Sequence, residues 1–133
     1  MITVKTTVNS DIQKVWDLWT KPEHITQWNF AAPEWHCPNA INNLEPNGKF
    51  SWRMEAKDGS MGFDYAGKYN YIDAPQLIKK ELEDGRKVEI TFTPTPNGVE
   101  VQESFQPDEN NPELQKKGWQ AILDNFKSYV ESR

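Results

Sequence analysis

The sequence predicts an α+β domain in which a curved antiparallel sheet closes on a C-terminal helix. Three observations carry this. Residues Ser10 to Trp28 follow a short alternating strand and place three tryptophans on helix-like spacing. Residues 118–130 read as one amphipathic helix. Almost everything between them alternates with a period of two, broken by short turns.

Ile2, Val4, Thr6 and Val8 alternate with polar positions, as in a half-buried strand. Ser10-Asp11-Ile12-Gln13 fits a capping box with Ser10 as the cap. Ile12, Val15, Trp16 and Trp19 then form one apolar face. Lys21-Pro22 breaks this helix, and Pro22 suits the first turn of a second one ending near Trp28. Asn29 to Asn39 lacks periodicity and reads as a loop carrying Trp35, His36 and Cys37. A weak strand follows at Ala40 to Leu44, then a turn at Glu45-Pro46-Asn47-Gly48. Phe50, Trp52 and Met54 share one strand face; Lys57 to Ser60 make a hairpin turn. Phe63, Tyr65, Gly67, Tyr69 and Tyr71 alternate in the most aromatic strand, ended by Ala74-Pro75. Three more strands are expected at Leu77 to Leu82, Val88 to Thr93 and Val99 to Phe105. Their short connections imply an antiparallel meander. Asn111-Pro112 opens the last helix, with Trp119, Ile122, Leu123, Phe126 and Val130 as its apolar stripe. That many strands and one long helix bury each other only if the sheet curls around the helix.

The 133 residues fit one domain, 1–133, with no repeat or linker. Fifteen basic against 20 acidic residues give a net charge of −5 without a basic stripe, so no nucleic-acid partner is expected. No apolar run approaches a membrane span and no leader precedes the first strand, and the single Cys37 fits a reducing compartment. A cytoplasmic protein is expected.

Four segments carry a resemblance. Val15 to Asn29 (VWDLWTKPEHITQWN), Gly48 to Met54 (GKFSWRM), Asp58 to Asp64 (DGSMGFD) and Gly118 to Phe126 (GWQAILDNF) are similar, in order, to the START-like (SRPBCC) superfamily. Within it they resemble the activator-of-heat-shock-protein-90-ATPase homologue family in its stand-alone bacterial form. The resemblance covers essentially the whole chain. It implies the helix-grip fold: about seven antiparallel strands, two short helices after the first, and a C-terminal helix closing a cavity. Superfamily members bind lipids, hormones or polyketides, and a few catalyse cyclisation or dehydration, so fold alone does not choose a function. The two-domain eukaryotic activator has a separate chaperone-binding domain for which 133 residues leave no room, so a chaperone contact is the least supported partner.

The aromatic strand faces fit a filled core or a ligand-lining cavity with polar tips equally well. Trp28, Trp35, Trp52, Met54, Phe63, Tyr65, Phe92 and Trp119 are the candidate walls, with His36 on the adjoining loop. Trp16 and Trp19 read as the packed underside of the short helices. Glu103 shares strand parity with Val99, Val101 and Phe105, so it faces inward if they do. A buried carboxylate must be paired, hydrogen-bonded or protonated. It is either the polar anchor of the cavity or a structural partner of a Tyr, Trp or Lys, unless a bulge turns it outward. His36-Cys37 has neither the companions nor the spacing of a zinc site, and no metal or other cofactor is expected. No catalytic residue can be assigned. The reading is a binder of a small apolar or aromatic molecule. The alternatives are a polyketide cyclase or dehydratase-like enzyme using Glu103 or His36, and an interaction module of the chaperone-activator kind.

Overall fold

In the computed structural model, which describes residues 1–133, eight strands and three helices follow in order. β1 (Ile2–Val8) leads to α1 (Ile12–Thr20) and α2 (Pro22–Trp28). Then come β2 (Trp35–His36), β3 (Ala40–Asn42), β4 (Lys49–Ala56), β5 (Gly62–Asp73), β6 (Leu77–Leu82), β7 (Lys87–Thr95) and β8 (Gly98–Phe105). α3 (Pro112–Glu131) ends the chain.

All pairings are antiparallel in the order β1-β8-β7-β6-β5-β4-β2, with β3 also on β4. Trp35 pairs with Ala56 and Ala40 with Trp52, so β2 and β3 follow one another along the same edge of β4. They form one broken edge strand, and the sheet is seven ranks wide. The helix-grip architecture expected from the sequence is the one observed, but the loop expected at Asn29 to Asn39 contains β2.

Alternation sorts each strand between core and solvent. Phe50, Trp52 and Met54 from β4, Ile78 from β6, Ile90 and Phe92 from β7, and Val99, Val101 and Phe105 from β8 are all buried. All but Met54 join Leu123, Phe126 and Val130 of α3 in one core. Curling needs close backbone approach at Gly67, where an added Cβ would lie 2.1 Å from the Glu81 carbonyl oxygen. On β5 the alternation departs from expectation. The register with β6 shifts between Tyr69 and Tyr71, so Tyr69 is buried while Tyr71 is half exposed.

The helix caps obey donor accounting. At α3, Asn111 Oδ1 accepts the backbone N–H groups of Glu113 (2.9 Å) and Leu114 (3.3 Å), with Pro112 in the first turn. At α1 the cap is Asp11, not Ser10: its carboxylate accepts from the Lys14 N–H at 2.9 Å. Ser10 is engaged in a turn, its N–H donating to the Val8 carbonyl at 2.9 Å. Gln13 does not reach back; its amide donates to Asp17 at 2.9 Å.

Where the short helices meet α3, the aromatic rings concentrate. Trp19 lies 4.8 Å from both Trp28 and Phe126 (ring centroids) and 5.8 Å from Phe92. Trp28 is fully enclosed, and its indole N–H donates to the Leu18 carbonyl at 2.9 Å.

Candidate functional site

The N-terminal half of α3 does not seal against the sheet. A pocket of about 410 Å³ lies between that half-helix, β4, β5 and the segment following α2. Trp19, Trp28, Trp52, Tyr65 and Trp119 form its aromatic walls, with Met54 beside them. Ala31, Ala32, Trp35, Phe63 and Leu114 also line it. Phe63 is half exposed and Leu114 more so, which sets them at its mouth. Trp119 is held by a parallel stack on Phe105, with centroids 3.9 Å apart and planes at 10°.

Polar groups gather on the wall formed by β8 with the segment after it, β5 and the β6–β7 turn: Glu103, Asp108, Tyr65 and Arg86. Glu103 is 6% exposed. Burial pushes its carboxyl up to about 7, and the positive charge of Lys80 works against that shift. Lys80, 1% exposed, stands behind the wall. Its ammonium lies over Phe50, Trp52 and Tyr65 at 4.7, 4.5 and 4.7 Å from the ring centroids. Burial lowers its titration to about 8, opposed by Glu103. The two charged ends do not touch: no nitrogen–oxygen pair between them lies within 4.0 Å.

Aromatic tips on this face differ in one respect. The Tyr69 hydroxyl donates to Asn42 Oδ1, which also accepts from the Trp52 indole N–H at 3.3 Å. Asn42 in turn donates to the Thr20 carbonyl at 2.7 Å. The Tyr65 hydroxyl is enclosed and has no hydrogen-bond partner. Burial raises its titration well above the usual phenol value, Glu103 raises it further, and Arg86 pulls it down.

The pocket brings together Trp28, Trp35, Trp52, Met54, Phe63, Tyr65, Glu103 and Trp119 from the sequence-derived candidates. Two others lie outside it. His36 is on the sheet edge, its Nε2 3.7 Å from Glu55 and its side chain 42% exposed. Phe92 is sealed beneath Trp16 and Trp19. Trp19, read as helix underside, faces the pocket as well as the core. Lys80, behind the pocket wall, is absent from the sequence-derived candidates, although it shares strand parity with Ile78 and Leu82 just as Glu103 does with Val101 and Phe105. Cys37 is buried against Asn29 and Asn39, and burial pushes its thiol up, away from nucleophilic character. No group of three or more His, Cys, Asp or Glu side chains is placed to hold a metal ion. No helix is long and apolar enough to cross a membrane.

A family model described as Activator of Hsp90 ATPase homolog 1-like protein matches residues 9–131. The chain belongs to that family. Solved structures of the same shape agree. The chain is 39% identical to the AHSA1-like protein from Aeromonas hydrophila (TM-score 0.93, covering 98% of this chain and 92% of that one). It is 52% identical to a protein from Cytophaga hutchinsonii (TM-score 0.85, with the same coverage of 98% and 92%). At 18% identity, a Chromobacterium violaceum protein shares the fold (TM-score 0.85, covering 98% and 96%). No curated protein matches the chain. Membership of the AHSA1-like family supports a ligand-binding or activator-like module and leaves the choice to the site.

Proposed function

We propose that this protein is a small-ligand-binding module whose pocket receives an apolar or aromatic molecule between the sheet and α3, and that it works in the cytoplasm. The observation that carries the reading is the wall itself: Trp19, Trp28, Trp35, Trp52 and Trp119 all face one pocket of about 410 Å³. Small-molecule sites are typically concavities of about 300–1,000 Å³ with apolar walls and a few placed polar groups. These rings pack on one another, Trp19 on Trp28 at 4.8 Å and Trp28 on Trp52 at 6.0 Å, and still leave open space between themselves and the first half of α3. The single free cysteine, Cys37, is in keeping with a reducing compartment.

Gly118 supplies the test. It lines the pocket from within α3, and a Cβ there would meet nothing within 4 Å. Gly118→Leu therefore fills the pocket and improves the helix by about 0.5–1 kcal/mol. Native mass spectrometry of protein purified from its own host should show a bound small molecule on the wild type and none on Gly118→Leu. A wild type without any bound mass, or a variant that keeps it, overturns the reading.

A further inference from the structure

Most polar atoms around the pocket are already engaged. Arg86 Nε holds Asp84 at 2.8 Å, and another of its nitrogens faces Asp108 at 3.9 Å. Gln115 accepts from the Asp108 N–H at 3.0 Å and donates to the Asn110 carbonyl at 2.9 Å. Two groups stand apart. The Glu103 carboxyl has no protein donor within 3.5 Å, and the Tyr65 hydroxyl has no partner of any kind.

We propose that the Glu103 end of the pocket is a subsite for the hydroxyl group of a neutral hydroxyaryl ligand, whose ring lies among Trp28, Trp52 and Trp119. The proposal rests on the pocket reading above and names its ligand class.

Hydrogen bonding, charge and shape together select such a group. A carboxylate only accepts hydrogen bonds, so a ligand atom that meets Glu103 in the pocket must donate, and an acceptor that gives up water there without gaining a donor is costly. Charge excludes the other simple donors and anions. A ligand carboxylate would sit against Glu103 and Asp108, while the one cation in the wall, Arg86, is already held by Asp84 and Asp108. A ligand ammonium would be a second cation beside Lys80, whose charge already offsets part of the Glu103 charge, and the aromatic cage that could receive it is filled by Lys80 itself. A neutral hydroxyl avoids both penalties. Finally, rings facing rings favour a flat body, which stacks or meets edges at little conformational cost. The enclosed Tyr65 hydroxyl lies beside this end, close enough for the Glu103 charge to act on it.

The test uses one ring with four heads: 2-naphthol, 2-methoxynaphthalene, 2-naphthoate and 2-naphthylmethylamine. Binding is followed at about pH 8, where Glu103 is mostly ionised, through the indole N–H resonances of the pocket tryptophans. We expect 2-naphthol to bind about tenfold or more tightly than each of the other three. The double variant Lys80→Met/Glu103→Leu removes both buried charges together. It should bind 2-naphthol and 2-methoxynaphthalene within about twofold of each other. Equal wild-type affinity for those two, a preference for the amine or the acid, or an unchanged naphthol preference in the double variant overturns the subsite while leaving the pocket reading intact. Failure of all four probes to move any pocket indole removes both.

Discussion

Between pH 5 and 7 this protein should lose stability as the pH rises, the reverse of ordinary carboxylate behaviour. The cause is Glu103, whose folded-state titration lies at about 7 against 4.5 for a free carboxyl. Burial makes the ionised form expensive, and Lys80 offsets only part of that cost. Because the folded form keeps a proton that the unfolded chain releases, the stabilising contribution is full below about pH 4.5. It is lost as the pH climbs through about 7. At about 1.4 kcal/mol per pH unit, the span amounts to about 3 kcal/mol. Lys80 acts with the opposite sign at higher pH. Its folded-state titration at about 8 lies below the usual 10.5, so its contribution is full above 10.5 and lost as the pH falls through 8. Together the pair puts a stability minimum between about pH 7 and 8. Asp58, Asp84, Glu81 and Glu131 do not blur this window. Hydrogen bonds hold each below its usual range, so their contributions fade only at more acidic pH.

Urea denaturation at closely spaced pH values from 5 to 7.5 measures the slope directly. The Glu103→Gln variant is the control. Without the carboxylate, Lys80 loses the charge that helps it keep its proton, so the variant should be flat or gain stability with rising pH. His24 and His36 are common to both proteins and cancel in the difference. A wild type whose stability rises across this interval would refute the reasoning, as would a variant with the wild-type slope.

Three further outcomes are expected. Asp11→Ala should cost about 1 kcal/mol in chemical denaturation and Ser10→Ala less than half of that, because Asp11 makes the cap bond to Lys14. Tyr65→Phe removes an enclosed, unpartnered hydroxyl and should raise Tm by a few degrees, corresponding to about 1 kcal/mol or more, whereas Tyr69→Phe should lower it by breaking the bond to Asn42. Trp28→Ala should cost about 3–5 kcal/mol, since this ring is enclosed by Trp19, Trp52 and Phe126 and its N–H is bonded to Leu18.

The fold was legible because its signals are periodic and redundant. Alternation through β4, β6, β7 and β8 and the stripe on α3 each point to the same curled sheet. What failed was local. Ser10 and Asp11 are both good caps at adjacent positions, and only the turn that engages the Ser10 N–H decides between them. The bulge after Tyr69 turns Tyr71 outward and depends on β6, which sequence alternation alone does not register. Parity exposed Glu103 because Val101 and Phe105 flank it, yet Lys80 sits between Ile78 and Leu82 in the same way. A lysine in a strand is ordinarily a solvent-facing residue, and the aromatic cage that reverses this comes from β4 and β5.

The two halves of α3 set the function apart from the stability. Its C-terminal half puts Leu123, Phe126 and Val130 into a closed apolar core in which no charge is buried. Its N-terminal half, with Leu114, Gly118 and Trp119, faces the pocket. Beside that half lie the features that weaken the fold: the caged Lys80 ammonium, the Glu103 carboxyl out of contact with it, and the orphaned Tyr65 hydroxyl. Apolar residues in place of such a pair commonly make a protein more stable by about 1–4 kcal/mol. Packing alone therefore gives no reason for Lys80 and Glu103 to occupy these positions. Local rules broken at one place while the rest of the molecule obeys them mark where a sequence answers to something besides folding. Here that place is the wall of the pocket, where an acceptor without a donor can still discriminate between head groups carried on the same ring.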